Sequence, residues 1–449
     1  MPDEPDGTAA SDTPPFPVEA EVLAVLDRLW SAGHAGYLVG GGVRDALLGL
    51  PVTDWDIATD ARPERILSVF PGSSYENRFG TVLARGMEIT TFRRDHRYAD
   101  HRRPDTVTFS GDIFEDLARR DLTINAIAWG RRRSDAAARL VDPADGRGDL
   151  EARLVRAVGD PDRRFDEDAL RLLRAVRIAA RLDFSIEPMT HAAIVARAGD
   201  VEWVSEERVG HEIRRMITAE VPSRAISLLK ETTVLDTVLP ELASLPEPLL
   251  ARTSLTLDAV AVEAAGQERL ALASLLGETG PDAAGSALAR LRVAGRDSEA
   301  IVQLIAAAPV PYTVDWTDAD VRRFMGRVAH ESMDDLLALR AARATAAASN
   351  DQDAPTREAE LRARVAEQRT AESPLMLADL AIDGRDLRET LGLPEGPLIG
   401  TLLERLLADV IEEPALNTRT TLLTRASLVL DEIVQRTPRE PLPRRTPIR

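Results

Sequence analysis

The sequence predicts an α+β domain of mixed strands and helices up to about residue 150, followed by helices alone. Short apolar runs typical of strands alternate with helical segments in the first part, whereas beyond Leu154 the apolar residues recur at helical spacing. The chain has 449 residues, which by length alone predicts about three domains. Its hydrophobic fraction of 44% is sufficient for sizeable cores.

The first domain begins with a helix and continues with short strands. The region 1–17 is acidic and rich in proline, which is typical of a disordered tail. From Val18 apolar residues line one helical face, and the apolar run 37–39 ends in three glycines before a helix over 43–48. Further strands are predicted at 55–58, 81–84, 87–92 and 107–109, and the run 124–129 could form either a helix or a strand.

Helices dominate the remaining chain. Helical spacing predicts helices at 166–182, 206–219, 223–234, 268–276, 285–291 and 298–307. The polar segment 349–374 is interpreted as a charged linker, part of which could be a long solvated helix. The resulting domains are a head at 18–150, a neck at 151–220, a body at 221–348, this linker, a helical tail at 375–436 and a flexible end at 437–449.

The composition excludes several kinds of protein. With no cysteine, the chain can form no disulfide scaffold, thiolate zinc site, iron–sulfur cluster or cysteine nucleophile. No stretch approaches the roughly 18 consecutive apolar residues of a membrane span, so no membrane association is expected. The N-terminal region lacks the basic start and apolar core of a signal peptide, so we expect a cytoplasmic protein.

The charge is unevenly distributed along the chain. The net charge of -18 argues against a protein that coats nucleic acid indiscriminately, but it does not exclude a local basic groove. Ten arginines face seven acidic residues over 92–133, and eight face five over 153–181, so each segment carries a net +3. We therefore expect the N-terminal half to attract polyanions.

The first candidate site combines a glycine turn with two aspartates. Glycines 40–42 between a strand and a helix would let backbone N–H groups approach an anion, and Arg44 could add a charged fork, although a tight turn alone also explains the glycines. Asp54 and Asp56 are two residues apart on a predicted strand and therefore share one face. Two such carboxylates suit Mg²⁺, which would activate a hydroxyl and stabilise leaving pyrophosphate. We take Asp54 and Asp56 as candidate catalytic and metal-binding residues, although a surface turn would show the same pattern.

Five motifs in order over residues 38–215 resemble those of the bacterial class II family of CCA-adding enzymes and poly(A) polymerases. The first is the glycine turn together with Asp54-x-Asp56, and the others lie at 119–126, 142–150, 167–174 and 207–212. The resemblance implies a polymerase-beta-like nucleotidyltransferase head with a mixed sheet, and an enzyme that adds CCA to tRNA 3′ ends from CTP and ATP with Mg²⁺. It also implies tRNA as the partner of a monomer or homodimer.

More than one function is compatible with these motifs. The same head motifs serve poly(A) polymerases and enzymes that add only CC or only A. An inactive RNA-binding protein built on this head and an HD-type hydrolase are possibilities from other classes.

The resemblance also assigns residues to nucleotide binding. They are Gly41, Gly42, Arg44, Asp45, Arg120, Asp121, Asn125, Asp168, Arg171, Arg174 and Arg177. Among them, Arg120, Asp121 and Asn125 match the motif associated with the sugar. The resemblance implies that Asp168 and Arg171 form a protein template that selects CTP or ATP and rejects GTP and UTP.

The spacing in the fourth motif has a meaning of its own. Asp168, Arg171, Arg174, Arg177 and Arg181 recur every three or four residues and so would share one helix face. An aspartate and an arginine one turn apart hold acceptors and donors in fixed positions, which can mimic the Watson–Crick partner of a base. A solvated charged stripe would have the same spacing.

The segment 92–104 is a further candidate for contact with RNA. It holds five arginines against two aspartates and ends in a proline, which is typical of a mobile polar loop near phosphate, although a solvated turn would look the same. Arg97, Arg102 and Arg103 are the candidate RNA-binding residues. Glu88, on the preceding strand, is a candidate third metal ligand, with Asp116 as a competitor.

The body departs from many family members, which carry a metal-binding HD phosphohydrolase-type domain there. The segment 270–280 resembles the HD signature, but Gly277 and Glu278 stand where His-Asp would be, and 240–310 contains no histidine. We interpret the body as a degenerate HD-like domain without phosphohydrolase activity, although an unrelated helical body would also fit. The segments 377–387 and 396–400 resemble the family's C-terminal segment, which supports the tRNA elbow, although 396–400 is also typical of a helix-entry turn.

Overall fold

The computed structural model describes residues 16–77, 80–96, 106–371 and 373–436. The chain divides into two compact units, with the boundary between Ser244 and Leu245. The predicted head and neck fall in the first unit together with residues 221–244 of the predicted body, and the rest of the body and the whole tail fall in the second. Most of the predicted disordered tail and the whole flexible end lie outside the described residues.

The first unit contains a mixed β-sheet, as predicted, and this main sheet holds seven of the eleven strands described in the unit. The strands are β1 Gly36–Val39, β2 Asp56–Thr59, β3 Ser74–Asn77, β4 Thr81–Ala84, β5 Met87–Thr91, β6 Arg93–His96, β7 Thr106–Phe109, β8 Ala128–Arg131, β9 Arg139–Val141, β10 Leu154–Val155 and β11 Ser185–Ile186. The order in the main sheet is β3-β4-β5-β2-β1-β8-β9. β2 and β5 run parallel, and every other neighbouring pair in this sheet is antiparallel. β6 pairs with β7, and β10 with β11, in two small separate sheets.

Helices pack against this sheet and continue into the neck. They are α1 Ala20–Ser31, α2 Gly41–Leu47, α3 Pro63–Val69, α4 Ile113–Ala118, α5 Gly146–Glu151, α6 Pro161–Glu167, α7 Leu170–Leu182, α8 Pro188–Ala196, α9 Glu206–Ile217, α10 Pro222–Glu231, α11 Val234–Val238 and α12 Pro240–Ala243. A core that includes Tyr37, Ala58, Phe92, Leu117 and Ala128 joins the sheet to α4. This core fixes the ends of β1 and β2, where the candidate site lies.

Two local predictions are corrected by the structure. The run 124–129 is neither one helix nor one strand, because a 3₁₀ turn at Thr123–Asn125 leads directly into β8. The predicted helix over 166–182 is broken between α6 and α7, where Asp168 is extended with φ -156° and ψ 106°. Its side chain accepts a hydrogen bond from the backbone N–H of Leu170, which competes with continuation of the helix.

The second unit is entirely helical among its described residues. Its helices are α13 Glu247–Glu263, α14 Glu268–Leu276, α15 Pro281–Arg290, α16 Gly295–Ala307, α17 Asp318–Met325, α18 Met333–Ala347, α19 Ala354–Thr370, α20 Gly384–Leu391, α21 Pro397–Glu412 and α22 Arg419–Arg436. The segment interpreted as a charged linker is mostly α19, and its Leu361 and Val365 are fully buried. The helix expected in part of this segment is therefore present, but it is not wholly solvated, because one apolar residue per helical turn is enough to bury one side of an otherwise polar helix. None of the described helices is long and apolar enough to cross a membrane.

Candidate active site

The glycine turn brings the start of α2 against the segment that carries the two aspartates. Gly40 has φ +78°, and a Cβ there would lie 3.1 Å from Nη1 of Arg120 and 3.3 Å from Oδ2 of Asp56. A Cβ on Gly42 would lie 2.8 Å from the Trp55 ring and 3.0 Å from the carbonyl oxygen of Asp54. The absence of side chains at these positions therefore permits the close packing of the glycine turn against the segment of the two aspartates.

Asp54 and Asp56 lie on the same side of the chain. Asp56 is the first residue of β2, and Asp54 lies two residues before it; both are exposed, with Trp55 buried between them. Although Asp56 as a residue is exposed, surrounding protein atoms partly desolvate its carboxylate and raise its pKa, and the charge of Asp54 adds to this effect while Arg120 and Arg174 oppose it. A cation between the two carboxylates would relieve the repulsion that contributes to this shift.

The two competing candidates for a third carboxylate have different environments. Glu88 on β5 is the direct register partner of Asp56 on β2, is exposed, and lines with it a cavity of about 170 Å³. Asp116 lines the same cavity but is buried, and its oxygens lie 2.7 Å from Nη2 of Arg119 and 3.3 Å from Nη2 of Arg120. Asp116 is thus paired with two arginines. Glu88 is the better candidate for a third metal ligand, because it is exposed whereas Asp116 is buried.

The carboxylates fit Mg²⁺ in one specific way. Within the described ranges, no group of three or more histidine, cysteine, aspartate or glutamate side chains is arranged to hold a metal ion, so Glu88 does not complete such a group. Mg²⁺ is commonly bound by one or two carboxylates together with substrate phosphates and water. The pair of Asp54 and Asp56 meets that requirement without a third protein ligand.

A polar network connects α2, the 3₁₀ turn at Thr123–Asn125 and α7. Arg44, buried, donates from Nε to Asp45 at 2.8 Å and from Nη1 to Oδ1 of Asn125 at 2.7 Å. The amide of Asn125 donates to Asp121 at 3.3 Å, and Arg181 donates to the other oxygen of Asp45 at 2.9 Å. In this arrangement Arg44 and Asp45 connect α2 to the 3₁₀ turn and to α7. Arg44 could contact a phosphate directly only if it left these partners.

Asp121 forms the shortest ion pair in this network. Its Oδ2 accepts from Nε of Arg174 at 2.6 Å, and its Oδ1 accepts from the backbone N–H of Leu122 at 2.9 Å. Although burial by itself would raise the pKa of Asp121, Arg174 holds it well below its ordinary value. The aspartate expected at the sugar is therefore ionised and rigidly held.

Arg120 differs from the neighbouring arginines. Its only ion pair among the described residues is the 3.3 Å contact with Asp116, and its Nε is buried without a hydrogen-bond partner. The same side chain lies beside Asp56 and lines the cavity next to Glu88. A buried donor without a partner costs free energy unless a ligand or water satisfies it, so Arg120 is well suited to bind a phosphate or hydroxyl oxygen.

The predicted template pair is supported by residues from three other segments. Arg208 on α9 donates to both oxygens of Asp168, at 3.2 and 2.7 Å. Arg171 donates to Glu167 at 2.7 Å and to the backbone oxygen of Arg119 at 3.2 Å. Because Asp168 precedes α7, it does not share the helix face expected from its spacing.

Arg208 and Glu167 are functional candidates that the spacing argument missed. Both lie inside motifs noted in the sequence, but no local period signals that Arg208 reaches Asp168, forty residues away. Arg177 is also displaced from its expected role. It is buried and donates from Nε to Glu212 at 2.5 Å, which links α7 to α9.

The remaining residues singled out in the sequence lie either outside the described residues or in the second unit. Arg97, Arg102 and Arg103 lie outside the described residues. In the second unit the Glu278 side chain is 8% exposed and ion-paired with both Arg252 and Arg343, so in this arrangement it offers no free carboxylate to a metal. Gly396 immediately precedes α21, so the helix-entry interpretation of 396–400 is confirmed.

Comparison with known proteins agrees with these motifs. Residues 36–156 match the family described as the poly A polymerase head domain, and residues 183–245 match the probable RNA and SrmB-binding site of polymerase A. Residues 265–426 match the putative domain 2 of tRNA nucleotidyltransferase.

The chain is similar to several proteins named CCA-adding enzyme. It is 34% identical over 405 residues to that of Geobacillus stearothermophilus, an alignment covering 89% of this chain and 93% of the relative. It is 43% identical over 235 residues to that of Geobacillus thermodenitrificans, of which the aligned part spans 56%. The crystal structure of the Bacillus stearothermophilus CCA-adding enzyme in complex with CTP matches with a TM-score of 0.70 and 27% identity, covering 92% of this chain and 98% of that one.

Proposed function

Since the chain belongs to the family of CCA-adding enzymes and poly(A) polymerases, we propose that it adds CCA to the 3′ ends of tRNA from CTP and ATP. The observation that carries the proposal is the exposed pair of Asp54 and Asp56, which lies against the glycine turn with Arg120 beside it. Similarity to a CCA-adding enzyme over 89% of the chain supports this reaction over poly(A) synthesis and over the addition of only CC or only A.

The proposed reaction is a nucleotidyl transfer. The 3′ hydroxyl oxygen of the RNA attacks the α-phosphorus of the nucleotide and its proton passes to solvent, while the bond from that phosphorus to the bridging oxygen breaks and pyrophosphate leaves. Asp54 and Asp56 would hold Mg²⁺, which when bound lowers the cost of ionising the attacking hydroxyl and of developing charge on the leaving group. The glycine turn would leave room for the triphosphate, and the donors of Arg120 would orient it.

Base selection would depend on Asp168 and Arg171. Cytosine and adenine each present an amino donor where guanine and uracil present a carbonyl acceptor. The Asp168 carboxylate can accept from that amino group, and the Arg171 guanidinium can donate to the neighbouring ring nitrogen. The contacts of Arg208 and Glu167 would keep both groups in fixed positions while either accepted base is read.

One experiment tests the function directly. The protein is incubated with tRNA lacking its 3′ end and with CTP, ATP or both, and the products are sequenced. Addition of two cytidines from CTP and a complete CCA end from both nucleotides is expected. A run of adenosines from ATP alone would identify a poly(A) polymerase, and addition of only CC or only A would identify a partial enzyme.

Two variants test the assigned carboxylates in the same assay. D54A and D56A are each expected to abolish incorporation while keeping the circular dichroism spectrum of the wild type, because both side chains are exposed. Turnover retained by either variant would contradict the role proposed for that residue. The cytoplasm, where the expected substrates occur, is the location we propose.

A further inference from the structure

The N-terminal segment 16–19 packs against the tryptophan that separates the two candidate catalytic aspartates. Phe16 falls within the region expected to be disordered, but its ring stacks on Trp129 with centroids 5.1 Å apart and an interplanar angle of 16°. The same ring meets Trp55 edge to face, with centroids 6.3 Å apart and an angle of 65°. Three residues further on, the Glu19 carboxylate accepts a hydrogen bond from Nε1 of Trp55 at 2.6 Å. The segment therefore contacts Trp55 at two separate points.

These contacts lie on the face of the sheet opposite to the carboxylate of Asp56. Trp129 on β8 and Ile57 on β2 are both register partners of Leu38 on β1, so their three side chains share one face. Asp56 directly precedes Ile57 and therefore points to the other face. Phe16, which stacks on Trp129, thus does not obstruct the carboxylate of Asp56.

The chain between α2 and β2 depends on Trp55 for its position. Among the described residues, none of the backbone hydrogen bonds formed outside the helices and strands involves residues 51–55. Trp55 is the buried residue of this segment, with 8% of its surface exposed, and its ring also lies against the start of α2, where a Cβ on Gly42 would approach it to 2.8 Å. Because Asp54 and Asp56 are its direct neighbours in the chain, a movement of Trp55 displaces both of them.

We propose that Phe16 and Glu19 are positioning residues of the active site that act through Trp55. By holding this ring, they keep the carboxylates of Asp54 and Asp56 in the relative positions that a shared Mg²⁺ requires. The proposal rests on the proposed function, because it takes both carboxylates to bind the Mg²⁺ of nucleotidyl transfer. Since Mg²⁺ demands near-ideal octahedral geometry, a small displacement of either carboxylate weakens its binding. Glu19 is the stronger restraint, because a hydrogen bond to an ionised acceptor is stronger than one between neutral groups.

The test compares E19A with E21A, in which an exposed glutamate two residues further along the chain is removed. Both variants lose one negative charge at the start of α1, so an effect of charge on the N-terminus of this helix is common to both. Hydrogen–deuterium exchange in a peptide covering residues 51–58 is expected to be faster in E19A and unchanged in E21A. In steady-state CTP incorporation into tRNA lacking its 3′ end, E19A is expected to keep the KM for CTP and to lower kcat about tenfold, less than a full displacement of 1 Å can cost.

Two further measurements distinguish positioning from a general effect on stability. The Mg²⁺ concentration that gives half of the maximal rate is expected to rise in E19A and in F16A, whereas a role limited to stability would leave it unchanged. E19Q is expected to recover most of kcat, because its amide oxygen still accepts a hydrogen bond from the indole N–H.

A double-mutant cycle tests whether Glu19 acts through Trp55. W55F removes the indole N–H, so E19A is expected to cause no further loss of kcat in the W55F background. An equal further loss in that background would overturn the proposal, as would exchange rates and kcat in E19A that match those of E21A. A wild-type protein that binds the truncated tRNA but adds no nucleotide would instead contradict the proposed function alone, because the exchange measurement does not depend on turnover.

Discussion

Replacement of Gly42 by alanine tests how strictly the glycine turn positions the catalytic carboxylates. The new Cβ would lie 2.8 Å from Cε3 of Trp55 and 3.0 Å from the carbonyl oxygen of Asp54. Carbon atoms in ordinary contact are about 3.5 Å apart, so the new Cβ and the Trp55 ring must separate by about 0.7 Å. Trp55 cannot simply rotate away, since it is buried and its Nε1 donates to Glu19 at 2.6 Å.

The displacement acts on both carboxylates because Trp55 lies between them. A misplacement of about 1 Å can cost about 100-fold in rate, so we expect G42A to lower kcat between about 10-fold and 100-fold. Overpacking of this kind also destabilises by about 1–3 kcal/mol. The assay is steady-state CTP incorporation into tRNA lacking its 3′ end, together with thermal unfolding.

The control is G111A, because a Cβ at Gly111 meets nothing within 4 Å. It is expected to retain the wild-type kcat and melting temperature. A rise in the KM for CTP with unchanged kcat in G42A would show that the new methyl group blocks nucleotide binding rather than moving Asp54 and Asp56. A wild-type kcat in G42A would refute the reasoning altogether.

Three further outcomes are expected. R208Q removes the bidentate contact that holds Asp168, so misincorporation of GTP and UTP relative to CTP should rise about tenfold, a change of the size that one base-reading contact contributes; unaltered selectivity would mean that Asp168 needs no support. D121N weakens the ion pair with Arg174, whose side chain is 37% exposed, and should destabilise the protein by about 1–3 kcal/mol in urea unfolding, less than the loss of a fully buried pair. Because the folded pKa of Asp121 lies below the unfolded value of 3.8, its ionic contribution is present above that pH and is lost as the pH falls through the folded pKa, so D121N should show a smaller acid-induced loss of stability. Addition of EDTA should stop incorporation and excess Mg²⁺ should restore it, whereas activity that persists in EDTA would contradict the metal proposed at Asp54 and Asp56.

Local patterns were sufficient for much of the head. The apolar patterns predicted both ends of β4 correctly, and they predicted each end of β2, β5 and β7 to within one residue. The same patterns failed where a side chain competed with the backbone. Asp168 ends a helix that its apolar neighbours would continue, and a period counts those neighbours without registering the hydrogen bond to the N–H of Leu170.

Burial of a mostly polar helix was the other point at which patterns failed. The charged segment 349–374 contains few apolar residues, but Leu361 and Val365 fall on one side of α19 and are fully buried. Composition averages over all faces of a helix, whereas packing depends on one face only.

The sequence by itself determined the family, the α+β head before the helices, and the residues around the glycine turn with Asp54 and Asp56. Those features depend on neighbours a few residues apart, whose relative positions follow from backbone geometry. Only the tertiary structure decided that Glu88 stands beside Asp56 and that Arg208 holds Asp168. Which residues form an ion pair depends on which helices and strands pack together, and residue spacing along the sequence does not reveal that packing.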